Sequence, residues 1–137
     1  GVFAEKVPDL SGVATLVDPH GTSPLSERAR SYLEANCGHC HRPGGDGGTS
    51  GLVLLADEPE LTSIGLCKKP VAAGSGSGGF KYDIIPGNPD ESILLYRMKS
   101  LDPQIKMPEI PNLQVPQAGV DLITEWIQAM EPVDCSE

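Results

Sequence analysis

Ala29-Arg30-Ser31-Tyr32-Leu33-Glu34-Ala35-Asn36-Cys37-Gly38-His39-Cys40-His41 is the stretch around which the rest of the chain is read. Ala29, Tyr32, Leu33 and the Asn36-Cys37 pair recur at helical spacing and form one face. Upstream, Ser23-Pro24 supplies a cap residue followed by proline at the first helical position. The spacing predicts a helix from Pro24 to Cys40 that runs straight into Cys-x-x-Cys-His. On a helical turn, Cys37 and Cys40 present two thiols three residues apart, and the His41 imidazole follows one position later.

That pattern reads as a c-type haem attachment site. Each thiol can bond one vinyl group of a porphyrin, and the adjacent imidazole then sits under the iron. Three side chains fix the plane, the position and the proximal ligand of the cofactor. Two other chemistries use similar residues. A thioredoxin-like dithiol also carries C-x-x-C, but it belongs on a βαβ unit and no strand–helix alternation is visible here. A structural zinc site wants a second Cys or His pair, and Cys67 and Cys135 are far apart in the chain. A zinc-bound or disulfide-stapled interaction module stays as an alternative from another class.

The composition suits a small cofactor protein. The 137 residues make one domain. Six are aromatic, one Trp, three Tyr and two Phe, so a core without a porphyrin would be short of large flat groups. Gly and Pro together number 16 + 13 = 29, which implies many turns and long loops. The net charge of −9 argues against nucleic acid or an anionic membrane, which need clustered Lys and Arg. The longest wholly apolar run, Gly51 to Ala56, is far too short to span a bilayer. No signal peptide is visible, and a start at Gly1 rather than Met leads us to expect a processed, excised or tagged piece.

Outside the motif, residues 1–22 show no clear periodicity and read as an extended arm, with the domain proper over 23–137. The glycine-rich segment from Arg42 to Gly51 is a loop, and a carbonyl in it is expected to accept the His41 ring N–H. Leu52 to Leu55 read as core and as one wall of the cofactor pocket. A short helix is expected over Pro59 to Gly65, a flexible Gly/Ser loop over Pro70 to Gly79, and an extended piece over Phe80 to Ile85. Asn88-Pro89-Asp90-Glu91 has the pattern of a helix start, with Asn as the cap and acids in the first turn, and that helix continues to about Ser100. The last helix starts near Pro116, buries Val120, Ile123, Trp126, Ile127 and Met130, and stops at Pro132. There is one Cys-x-x-Cys-His, so one haem per chain is expected.

The sixth iron ligand decides the function. The candidates are Met98, Met107, Met130, His20 and His39. His39 lies between the two anchoring cysteines and cannot reach back to the same iron. Met98 and Met130 fall on apolar helical faces, where Met usually fills core. Met107 sits in the stretch Leu101 to Pro111, which carries Pro103, Pro108 and Pro111. A stiff loop of this kind can hold a weak thioether on iron at low entropic cost, and Met/His is a known axial pair in c-type cytochromes. Met107 is the preferred ligand. His20, or an open or water-bound site, is the alternative.

The order of features resembles a class I cytochrome c domain over about residues 23–130. It runs helix, Cys37-x-x-Cys40-His41, loops, middle helix, Met107-Pro108 loop and a helix with Glu125-Trp126-Ile127. The stretch from Ala29 to Gly45 is similar to one bacterial subgroup, as are Ile85-Pro86-Gly87-Asn88-Pro89 and Ser92-Ile93-Leu94. The Gly/Ser loop near 70–79 is longer than in many relatives. The resemblance implies an all-α class I cytochrome c fold, with N- and C-terminal helices crossed around one covalent haem c. Tyr32, Leu33, Ile123, Trp126 and Ile127 would meet at the crossing, with Trp126 as core. Cys37 and Cys40 would be the thioether anchors, and His41 and Met107 the axial ligands. Arg42, Lys81, Tyr82 and Arg97 are candidates for propionate contacts.

The resemblance also implies a periplasmic or secreted location. In that compartment Cys67 and Cys135 would form a disulfide, closing 135 − 67 = 68 residues; the alternative is two unpaired thiols. The function implied is one-electron transfer without catalysis, by a domain that is monomeric, free or part of a larger secreted redox protein. Its partners would be a dehydrogenase donor or an oxidase or polysaccharide-oxidising acceptor. A peroxidase or gas-binding haem protein, which needs an open distal site, is the enzyme-class alternative. Residues 107–137 hold six acids and no base, whereas 42–106 hold seven of the ten bases. This asymmetry would orient docking or simply keep the domain soluble.

Overall fold

The computed structural model describes Asp9, Ser11 and residues 15–109 and 113–136. Most of the arm expected over 1–22 and the 110–112 part of the Met107 loop, Pro111 included, lie outside the described residues. Four α-helices organise the rest: α1 (Leu25–Leu33), α2 (Leu61–Ile64), α3 (Ile93–Met98) and α4 (Gln117–Gln128). Short 3-10 turns occupy 48–50, 74–77 and 89–91, and two isolated bridges pair Leu66 with Ile84 and Tyr82 with Ser92.

The first helix differs from expectation at both ends. Its N-cap position is Pro24 with no side-chain cap bond, so Ser23 does not cap it. After Leu33 the chain widens into a π-helical turn, Glu34–Gly38, rather than continuing as α-helix to Cys40. Such a turn shifts the angular register of every residue after it, so the faces seen in α1 do not extrapolate to the cysteines. Tertiary bonds hold this region. Glu34 Oε2 accepts the Ala56 N–H at 2.6 Å, and the Arg30 guanidinium donates to the Leu55 and Glu58 carbonyls.

The middle helix is also shorter than its sequence pattern. Asn88 makes no side-chain cap; Pro89–Glu91 is a 3-10 turn, and Ser92 is extended before α3 begins. The reason is the buried Ser92 hydroxyl, which accepts the Ile85 N–H and donates to the Asn88 carbonyl, both at 2.9 Å. The first N–H groups of α3 are then met by the Tyr82 and Asp83 carbonyls. This satisfies donors that a helix start otherwise leaves open, and it ties α3 to the extended 80–85 segment.

The core forms where α1, α3 and α4 meet. Leu33, Ile84, Leu95, Ile123 and Ile127 are fully buried, each contributing roughly 1.5–3 kcal/mol of transfer free energy. Trp126 is buried in the same cluster. The α1–α4 crossing is set by one glycine. A Cβ on Gly119 would overlap the Tyr32 phenol, 2.6 Å from Cε2 and nearer still to Oη and Cζ, so only a bare Cα lets the ring lie there. Cys67 and Cys135 are joined in a disulfide across 68 residues, which anchors the tail to the bridge region. Among the described residues, no helix is long and apolar enough to cross a membrane.

Candidate functional site

The segment after the π turn folds back on itself. His41 and Cys40 N–H groups bond the Cys37 carbonyl, the Gly47 N–H bonds the Cys40 carbonyl, and the Leu54 N–H bonds the His41 carbonyl at 2.8 Å. The glycine-rich loop therefore curls around the motif, and the Leu52–Leu55 segment is pinned beside it. A cavity of about 360 Å³ opens here, within the range of small-molecule and cofactor sites. It is lined by Cys37, Cys40 and His41, by Leu52, Leu54, Ile93, Leu94 and Met98, and by Met107, Pro108 and Glu109. Asp83 and Arg97 add charged groups.

The orientation of His41 follows from its hydrogen bonds. Its Nδ1 lies 3.1 Å from Ser50 Oγ. The one hydroxyl proton of Ser50 goes to the Gly47 carbonyl at 2.6 Å, while the Leu52 N–H donates to the same oxygen at 3.2 Å. Ser50 Oγ must then accept from His41, which assigns the proton to Nδ1 and leaves the lone pair on Nε2. The acceptor expected from the sequence was a backbone carbonyl; the structure interposes a hydroxyl that passes its own proton to one. Burial holds the His41 pKa below the usual imidazole value, with Arg97 and His39 acting the same way and Glu109 opposing. The ring is thus neutral and a competent donor to a metal.

The thiols are free of each other. Cys37 and Cys40 are unpaired, whereas Cys67 and Cys135 are bonded. Burial pushes the Cys37 thiol up to about 12, and Cys40 adds to the rise. A reactive dithiol needs a depressed thiol pKa, so this environment is the reverse of a redox-active one. Among the described residues, no three His, Cys, Asp or Glu side chains converge as a metal-binding group, and the disulfide removes the two cysteines a zinc site would need.

The remaining predicted residues divide clearly. Met107 reaches the cavity. Its loop is tied to α3 twice: the Met107 N–H donates to the Arg97 carbonyl at 3.1 Å, and Arg97 Nε donates to the Ile105 carbonyl at 2.8 Å. Met98, read as core, is buried and also lines the cavity. Met130 and His20 do not reach it, and His39 does. Of the four propionate candidates, Arg97 lines the cavity; Arg42, Lys81 and Tyr82 do not, and Tyr82 is buried. Trp126 packs in the core away from it.

Ser50, Lys68 and Asp83 carried no motif and were missed. Lys68 Nζ and Asp83 Oδ2 form an ion pair at 3.2 Å with side chains 12% and 9% exposed. Burial raises the Asp83 pKa above the usual carboxylate value, against the opposing effect of Lys68 and Arg97. Compared with protein-family models, curated proteins and solved structures, the chain matches none.

Proposed function

We propose that this chain is an electron-transfer domain of the class I c-type cytochrome kind, with one haem held covalently by Cys37 and Cys40 and ligated by His41 and Met107. One observation carries the reading: a single cavity with aliphatic lining gathers Cys37, Cys40, His41 and Met107, residues spread over 70 positions of sequence. The donor set fits the group. Two unpaired, half-buried thiols suit thioether attachment. The neutral imidazole with its Nδ1 proton committed to Ser50 suits iron ligation through Nε2. Leu52, Leu54, Ile93 and Leu94 suit an apolar macrocycle, and Arg97 suits an anionic propionate.

A haem bound in this way supplies a one-electron ferric/ferrous couple, with the thioether favouring the ferrous form. The protein's part is to hold geometry constant. Ser50 fixes the His41 ring plane. The two Arg97 bonds hold the Met107 loop to α3, so the sulfur needs little reorganisation between oxidation states. Leu52 and Leu54 exclude water from the cavity. Held by both His41 and Met107, such a group would serve to carry electrons between proteins rather than to bind a substrate. The disulfide and the haem chemistry fit an extracytoplasmic location, and a dehydrogenase or polysaccharide-oxidising enzyme is the class of partner proposed.

The test is expression with haem-maturation machinery, followed by visible spectroscopy and a thiol count. The expected protein has sharp reduced α and β bands and a ferric sulfur–iron charge-transfer band. When denatured without reductant it shows no free thiol, because Cys37 and Cys40 are alkylated and Cys67 and Cys135 are paired. Two free thiols and no haem absorbance would support the interaction module instead. Met107→Ala should abolish the charge-transfer band and admit carbon monoxide, while Met98→Ala should retain the band. The reverse pattern would move the ligand to α3, and carbon monoxide binding by the unaltered protein would favour a peroxidase or gas sensor.

A further inference from the structure

The half-buried Lys68 has no role in the reading so far. Lys68 reaches Ser50, on the far side of the loop that carries His41's hydrogen-bond partner. Its ammonium has three protons and three acceptors: the Ser50 carbonyl at 2.7 Å, the Lys69 carbonyl at 3.2 Å and Asp83 Oδ2 at 3.2 Å. Stability alone is a poor explanation for such a pair. Desolvating both charges costs about as much as their attraction returns, and an apolar pair of similar volume often serves as well. What the ammonium does achieve is position. Its shortest bond is to the Ser50 carbonyl, and every other polar atom of Ser50 is also committed: N–H to the Gly47 carbonyl, Oγ to Gly47, Leu52 and His41.

We propose that Lys68 is a positioning residue for His41, acting through Ser50: it clamps the Ser50 carbonyl and so fixes the hydroxyl that receives the His41 Nδ1 proton. The lysine is itself well anchored. The Asp83 N–H bonds the Lys68 carbonyl at 2.8 Å, the Lys68 N–H bonds the Gly65 carbonyl, and Cys67, its neighbour, is tied to Cys135. Lys68 thereby reaches the imidazole through one charged bond to the Ser50 carbonyl and the hydroxyl of the same serine. Groups that orient a metal-ligating histidine typically alter metal affinity or activity 10- to 100-fold when lost. The effect on potential rests on the proposal that His41 ligates haem iron; the effect on the imidazole proton does not.

The experiment compares the protein as expressed with Lys68→Met and with Lys68→Met/Asp83→Asn, which removes both charges and keeps side-chain volume. The readouts are solvent exchange of the His41 Nδ1 proton by NMR in the reduced state, the reduction potential, and the urea midpoint. In the double variant the midpoint should return towards that of the parent, while the His41 proton exchanges at least tenfold faster. A looser Nδ1–H bond makes the imidazole a weaker donor, so the ferric/ferrous equilibrium should move towards ferrous by up to about tenfold, or 59 mV for one electron. Should Lys68→Met fail to fold, the double variant carries the comparison. Exchange within twofold of the parent, or an unprotected proton in the parent itself, overturns the role of Lys68. Absence of covalent haem from the parent overturns the cytochrome reading instead, and His41 exchange in that protein still decides the Lys68 claim.

Discussion

Gly119→Ala offers the sharpest test of how the helices are set. In an ordinary helix interior, replacing Gly by Ala stabilises by about 1 kcal/mol. Here the added methyl would overlap the Tyr32 ring, 2.6 Å from Cε2, whereas relaxed carbon contacts lie near ~3.5–4.0 Å. Either the ring swings out of the α1–α4 seam or the helices separate, and overpacking of this kind costs about 1–3 kcal/mol. The expected net change is therefore a loss of up to about 2 kcal/mol. The control is Tyr32→Ala: in that background Gly119→Ala should become stabilising by about 1 kcal/mol, the plain helix-propensity gain. Urea unfolding followed by the fluorescence of Trp126, the one tryptophan of the chain, measures all four proteins. A coupling energy below about 0.5 kcal/mol, the scatter expected of independent sites, would refute the claim that this contact sets the crossing.

Three further outcomes follow from other parts of the structure. Cys67→Ser/Cys135→Ser opens a 68-residue loop and should lower unfolding free energy by about 4 kcal/mol in the chain-entropy model; a loss under about 1 kcal/mol would show that the unfolded chain is already restrained there. The Asp83 carboxyl has a folded pKa raised by burial, so between the ordinary carboxylate pKa and that raised value the folded state holds a proton that the unfolded state releases. Stability from this group falls as pH rises through that window. Acidification from pH 7 to 4 should therefore stabilise the parent relative to Asp83→Asn, and parallel urea-midpoint curves would contradict it. Finally, a Cβ on Gly47 would lie 3.0 Å from His41 Cε1 and 3.1 Å from Nδ1. In the haem-loaded protein proposed above, Gly47→Ala should tilt the ring and increase the high-spin ferric fraction, and an unaltered ferric spectrum would mean the loop yields instead.

Local chemistry was legible in the sequence. Cys37, Cys40 and His41 lie within five positions, so the sequence itself places them together, while the π turn at 34–38 sets the faces they present. The apolar stripe of α4 was equally plain, because Val120, Ile123, Trp126 and Ile127 repeat at the period of a helix that the core then accepts. The Cys67–Cys135 pairing depended on a compartment implied by resemblance, and the structure supplies the bond itself. Where local patterns met tertiary competition they failed. Asn88 had the pattern of a cap, yet buried Ser92 took its carbonyl and broke the helix.

Sequence by itself determined the motif, the amphipathic last helix and the shortage of aromatic mass that a porphyrin would make good, because each rests on residue type at short spacing. Only the tertiary structure decided which methionines reach the cavity, that Ser50 receives the His41 proton, and that Lys68 and Asp83 stand behind Ser50. Those contacts join residues up to tens of positions apart through loop closure and a π turn that resets the helical register. Neither leaves a periodic trace, so chain folding alone chooses which of several serines and lysines arrive.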